Sequence, residues 1–129
     1  MKKKLRNFVD LIVWQLASNF SKEIALLVKT FPQHEKYALS DNFLRAARSI
    51  PANISEGFGR YHTADKARFY NIASASADEC SNHLIEALNN GYIDENTNEL
   101  YQKRVRVITI KLTNLITSTR KRIKSSGTK

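Results

Sequence analysis

The sequence has little of what cross-links or punctuates a chain. Its 129 residues hold one cysteine, two prolines, four glycines and one tryptophan. The single cysteine, Cys80, excludes an internal disulfide and a cysteine-rich zinc site, and it fits a reducing cytoplasm. So few glycines and prolines argue against many turns and favour long elements with short connections, which disfavours an all-β fold. Long apolar runs are missing too: the longest, Ile24 to Val28, falls far short of the roughly 20 residues that cross a bilayer. No membrane partner is expected. The opening Lys2-Lys3-Lys4-Leu5-Arg6 is charged like a secretory leader. However, Asp10 and Gln15 interrupt the apolar stretch behind it and no small-residue cleavage site appears near Ala17, so it reads as mature sequence.

Carboxylates are scarce relative to cations: 12 Asp and Glu face 21 Lys and Arg, for a net charge of +9. Such an excess favours polyanionic partners. With 42% hydrophobic and 26% charged residues, the chain is neither disordered nor fibrous, and its length suits one domain spanning residues 1–129.

Apolar residues recur every three or four positions in four stretches of about 20–28 residues, the period of helices with one buried stripe. The first runs from Phe8 to Phe31, closed by Pro32. The second, with Ser40 and Asp41 as caps, carries Phe43, Ala47, Ile50, Ile54 and Phe58. Pro51 lies inside it, which predicts one helix bent near Ala47 to Pro51; Gly57 and Gly59 end it. The third, capped by Thr63 and Asp65, carries Phe69, Ala73, Ser76, Cys80, Leu84 and Leu88, and Gly91 stops it. The fourth carries Tyr101, Val105, Ile108, Leu112, Leu115, Thr119 and Ile123, leaving residues 124–129 as a frayed basic tail. Four such stripes satisfy one another in an all-α, antiparallel up-and-down four-helix bundle with a core at about residues 8–123.

The segment from Arg45 to Arg60, Arg-Ala-Ala-Arg-Ser-Ile-Pro-Ala-Asn-Ile-Ser-Glu-Gly-Phe-Gly-Arg, resembles the signature of the four-helix-bundle proteins encoded in intervening sequences of bacterial 23S rRNA. Asp10-Leu11-Ile12-Val13-Trp14 resembles that family's opening motif, and Phe31-Pro32-Gln33-His34-Glu35-Lys36-Tyr37-Ala38-Leu39 its first turn. Phe69, Ala73, Ser76 and Glu79 fit its third helix. The resemblance covers about residues 8–123 and implies a left-handed bundle, assembled in some relatives as a ring of five subunits, hence a homo-oligomer. A related branch, the accessory proteins of diversity-generating retroelements, is basic and binds nucleic acid. The chain departs from the pattern at Asn42, where many relatives have Gln, and at Leu44, where a basic residue is common.

The second helix has another face. Asn42, Arg45, Ser49, Asn53, Glu56 and Arg60 fall at steps of three and four, matched on the third helix by Ser76, Glu79, His83 and Glu86. Three readings stay open for this stripe: a solvated face, a polar network between helices or subunits, with Arg45 pairing Glu56 or Glu79, or a ligand site beginning at Asn53 and Glu56. A di-iron site would need Glu-x-x-His motifs, and none exists, so no metal or cofactor is expected. Nor is catalysis. No Arg precedes His34, His62 or His83 at the spacing of small helical ribonucleases, and there is no Gly-rich phosphate loop, no His-Glu-x-x-His and no nucleophile elbow.

The cations are uneven along the chain: residues 1–35 carry +3, residues 36–91 are balanced and residues 92–129 carry +6. In an up-and-down bundle both chain ends meet at one pole. Lys2, Lys3, Lys4 and Arg6 would there approach Arg120, Lys121, Arg122 and Lys124, with Lys103, Arg104, Arg106 and Lys111 extending the charge along the fourth helix. Such a surface attracts the phosphates of RNA or DNA without reading sequence. The expected function is a non-enzymatic oligomeric bundle that binds nucleic acid, with structured RNA or a ribonucleoprotein as partner. The alternative is a protein-interaction or scaffolding module whose charge only keeps it soluble.

Overall fold

The apolar period is realised as four α-helices, α1 (Ile12–Leu27), α2 (Leu39–Phe58), α3 (Thr63–Asn89) and α4 (Glu95–Gly127), with no strand among the described residues. The computed structural model describes residues 7–127, with side chains as far as residue 121. Contacts run down α3 as they climb α2: Phe43 meets His83, Arg45 meets Glu79, Ser49 meets Ser76 and Gly57 lies under Tyr70. Ser81 bonds Gln102, while Ala64 and Arg68 share a groove with Arg120, so α3 and α4 are antiparallel as well. Glu23 reaches Arg104 and Phe31 reaches Tyr92, which sets α1 against α4. One pole therefore gathers the start of α1, the α2–α3 turn and the end of α4. The other gathers the two remaining turns.

The core is built asymmetrically. Helices α1, α2 and α4 supply bulk in Phe20, Ile24, Phe43, Ile50, Ile54, Ile108 and Leu112, all fully buried. Helix α3 buries mostly small residues, Ala67, Ala73, Ala77, Cys80 and Ala87, alongside Tyr70, His83 and Leu84. Small side chains shorten the distance at which neighbouring helices can pack. Burial pushes the Cys80 thiol up to about 12, so it stays protonated as a small core residue.

Several local expectations are corrected. The helix expected over residues 8–31 is trimmed at both ends: Phe8–Asp10 and Val28–Thr30 form 3-10 turns and Leu11 is extended (φ −74°, ψ 124°). Asn7 accepts a hydrogen bond from Val9 N–H at 2.9 Å and caps the first turn. Ser40 and Asp41 do not cap α2, which begins at Leu39; Ser40 is buried, and Glu35 Oε1 accepts from Leu39 N–H at 3.4 Å instead. Thr63 likewise lies inside α3, after His62. Residues 124–127 are helical, as no proline or internal glycine interrupts α4 before Gly127. On α3 the core position is Tyr70 rather than Phe69. The Phe69 ring stays half-buried with the Arg60 and Arg68 guanidinium groups 4.6 and 4.5 Å from its centroid.

As expected, α2 runs through Pro51 as one element. Gly57, by contrast, does not end α2. It is buried within the helix, and a Cβ there would meet Tyr70 Cε1 at 2.7 Å and Lys66 O at 3.1 Å. The carbonyl at the end of the helix is satisfied by Lys66, whose Nζ donates to Phe58 O at 2.7 Å, a cation at the negative end of the helix dipole.

The far pole is closed by a relay. Gly91, at φ +76°, takes the left-handed geometry that ends α3, with Gly91 N–H donating to Leu88 O and Tyr92 N–H to Ala87 O. This stop delivers the Tyr92 hydroxyl to Glu35 Oε2 at 2.7 Å, and the carboxylate raises the phenol's pKa by accepting that bond. Glu35 is the residue that caps Leu39. Asp94 then starts α4: its carboxylate accepts from Thr97 N–H at 2.7 Å, which lowers its pKa.

Substituting Gly57→Ala is expected to lower stability by about 1–3 kcal/mol, because the methyl group must displace Tyr70 from its place over α2. At Gly59 an added methyl would meet nothing closer than Ser55 O at 3.6 Å, so Gly59→Ala should change stability far less. Denaturant midpoints of the two variants measure the contrast.

Candidate nucleic-acid interface

The sequence-predicted cations divide into three groups. Lys103, Arg106, Arg120 and Lys121 are exposed on α4, and Lys111 is half-buried beside them. Arg104 is drawn away: its guanidinium pairs with Glu23 on α1 and lies 5.4 Å from the Tyr101 ring centroid, so it ties two helices together. Lys2, Lys3, Lys4 and Arg6, with the side chains of Arg122 and Lys124, lie outside the described residues.

At the pole where α4 ends, the turn after α2 adds cations that charge counting along the chain does not assign to this surface. Arg68 and Arg120 flank a shallow groove of about 580 Å³ floored by Ala64, Ala67, Asn71, Ile72 and Ala75. The small alanines on α3 leave the groove open, and both arginines contribute to its lining. Arg60 bonds Glu56 Oε1 at 2.5 Å, and Arg68 stands 3.9 Å from Asp65. Both pairs are exposed, so each cation stays accessible to another anion.

The polar stripe on α2 takes shape as a seam with α3. Ser76 Oγ donates to Ser49 Oγ at 2.9 Å, and Asn53 Nδ2 donates to Ser49 Oγ at 2.9 Å and to its carbonyl at 2.8 Å. These three residues are half-buried, whereas Arg45 and Glu79, 3.9 Å apart, are 70% and 45% exposed. Arg45, Ser49, Asn53, Ser76 and Glu79 thus come together; Glu56 turns to Arg60 instead. His83, placed by the sequence on the polar face of the third helix, is buried against the Phe43 ring at 5.5 Å, with Nε2 3.3 Å from Glu79 Oε2 and Nδ1 3.7 Å from Glu86 Oε2. The alternation of Ala73, Ala77, Cys80, Leu84 and Ala87 places residue 83 beside the core stripe and is the signal that could have located it. Among the described residues no group of three or more His, Cys, Asp or Glu side chains is placed to hold a metal ion, and no helix is long and apolar enough to cross a membrane.

A looser seam separates α1 from α4. Leu16, Phe20, Leu100, Val107 and Ile108 line a groove of about 360 Å³ there, spanned by the Glu23–Arg104 pair. Around it stand exposed apolar side chains: Ile12 and Leu26 on α1, Leu100, Val107 and Ile110 on α4.

Residues 9–114 match the family model of the 23S rRNA-intervening sequence protein. A crystal structure of a protein of unknown function from the S23 ribosomal protein family of Bacteroides thetaiotaomicron is similar, at 26% identity and a TM-score of 0.76. The likeness covers 81% of this chain and 98% of that one. No curated protein matches the chain.

Asn53→Ala is expected to cost about 1 kcal/mol, since it removes the donor that organises Ser49 within the half-buried seam. Arg45→Ala, cutting a solvated pair, should stay within about 0.5 kcal/mol of the parent. Urea unfolding of both variants would show whether stability lies in the neutral hydrogen bonds or in the charges.

Proposed function

The chain belongs to the 23S rRNA-intervening sequence protein family, and from that premise we propose that it is a non-enzymatic, cytoplasmic, oligomeric helical bundle that binds nucleic acid, structured RNA or a ribonucleoprotein foremost, through its basic surface. The observation that carries this reading is the clustering of exposed cations at one pole: Arg68 and Arg120 flank a common groove, and Lys121 comes next on the same helix. Their partners are phosphates, which carry charge but no base identity, so binding is insensitive to sequence. No enzymatic step is assigned, because the histidines serve packing and turn contacts: His83 against Phe43, His34 beside Tyr92 and His62 beside Tyr61.

Electrophoretic or anisotropy binding to RNA across a salt series tests the reading. Affinity should fall steeply, with log K decreasing by about 0.7–0.9 per phosphate contact for each decade of salt. Replacing Lys103, Arg106, Arg120 and Lys121 by alanine together should flatten that slope. Absence of RNA and DNA binding at roughly 50 mM salt defeats the proposal and favours the protein-interaction module.

Self-association is supported by a separate observation. Leu100 and Val107 line the groove between α1 and α4, and with Ile12, Leu26 and Ile110 on the same two helices they are between 45% and 64% exposed; apolar surface left uncovered in this way suits an interaction site. A second copy of the chain is the proposed cover, as the family resemblance implies. Val107→Lys combined with Ile110→Lys should yield a folded species of monomer mass by sedimentation equilibrium. A parent protein already monomeric at high concentration defeats this assignment.

A further inference from the structure

The α2–α3 turn holds an aromatic side chain that the core does not use. Tyr61 is 92% exposed, its ring edge-on to His62 at 5.1 Å. An apolar ring so fully hydrated contributes nothing to packing, yet presents a flat face able to stack. Cations stand around it: Arg60 precedes it, beside Glu56, and Arg68 stands on the first turns of α3, 3.9 Å from Asp65, both in exposed pairs. The guanidinium groups of Arg60 and Arg68 both lie over Phe69, which holds them at the surface of this turn, and Arg68 opens onto the groove it shares with Arg120.

The groove that Arg68 and Arg120 line starts at Ala64 on the first turn of α3, and Tyr61 stands two residues before that helix begins. From this juxtaposition we infer that the pole selects unpaired nucleotides, with Tyr61 stacking on one exposed base while Arg68 and Arg120 hold the adjoining phosphates. The inference rests on the nucleic-acid reading above and adds the strandedness of its target. A duplex hides the faces of its bases, so stacking on a protein aromatic is open only to single strands, loops and bulges. Tyr37 supplies an internal control. It is 85% exposed with Lys36 Nζ 5.5 Å from its ring centroid, but it lies in the α1–α2 turn at the opposite pole, away from the arginine-flanked groove.

The test is fluorescence anisotropy on the full chain, with a short labelled single-stranded RNA and the same strand annealed in a duplex. Tyr61→Ala should weaken single-strand binding roughly tenfold, within the range measured for single base-stacking contacts. It should leave duplex affinity and salt slope unchanged. Tyr61→Phe should bind as the parent does, and Tyr37→Ala should have no effect. Tyr61 is solvent-exposed, so its variants should fold, and matched circular dichroism melts confirm it. Equal affinity of Tyr61→Ala and parent for the single strand, or equal losses on both substrates, overturns the inference. If Arg68→Ala and Arg120→Ala still weaken both substrates in that case, nucleic-acid binding stands without the stacking role. If the parent binds neither substrate, both readings fall together.

Discussion

The small-residue face of α3 is the constraint on which the rest of the structure depends. With alanine or cysteine at positions 67, 73, 77, 80 and 87, this helix can be approached closely from two sides. Its neighbours α2 and α4 then fill the space with phenylalanine, isoleucine and leucine. Gly57 under Tyr70 is the same device in reverse, with α2 giving up its side chain so that α3 can place a large one. A bulky residue in either place would separate the helices, and the Ser76–Ser49 hydrogen bond that crosses between them at 2.9 Å would open.

This arrangement leaves α1 in a different position. It packs mainly on α2, and its seam with α4 is spanned by Glu23 and Arg104 over an open groove. The molecule thus has a tight side centred on α3 and a loose, partly apolar side at α1 and α4. Its two ends also differ. One presents the guanidinium groups of Arg60, Arg68 and Arg120, while the other is closed by Phe31, Glu35 and Tyr92.

The four helices are legible in the sequence because a 3.6-residue period survives in the apolar residues even where the backbone departs from α geometry. For the same reason the ends of α1 are not legible: a 3-10 turn at Phe8–Asp10 keeps almost the same spacing of Phe8, Leu11 and Ile12 as an α-helix would. The α3 stripe is easily misplaced by one residue when aromatic residues are weighted over alanine. Phe69 looks like core, yet two arginines give its ring a polar neighbourhood, while Ala67, Tyr70, Ala73, Ala77, Cys80, Leu84 and Ala87 carry the true period. Gly57 reads as a helix stop because sequence shows glycine's backbone freedom but not a neighbour's ring. Most of the polar stripe is legible from helical spacing. The loss of Arg104 to Glu23 is not, because that pairing depends on which helices adjoin.

The relay from Gly91 through Tyr92 and Glu35 to Leu39 joins residues more than fifty positions apart in the chain. Glu35 lies only four residues before Leu39, so the cap itself is local; Tyr92 adds a second hold on the same carboxylate, made once the chain has turned back after α3. Closing so long a loop costs entropy before any contact compensates for it. One carboxylate thus couples the entry of α2 to the turn between α3 and α4, and a change at Tyr92 is felt at Leu39.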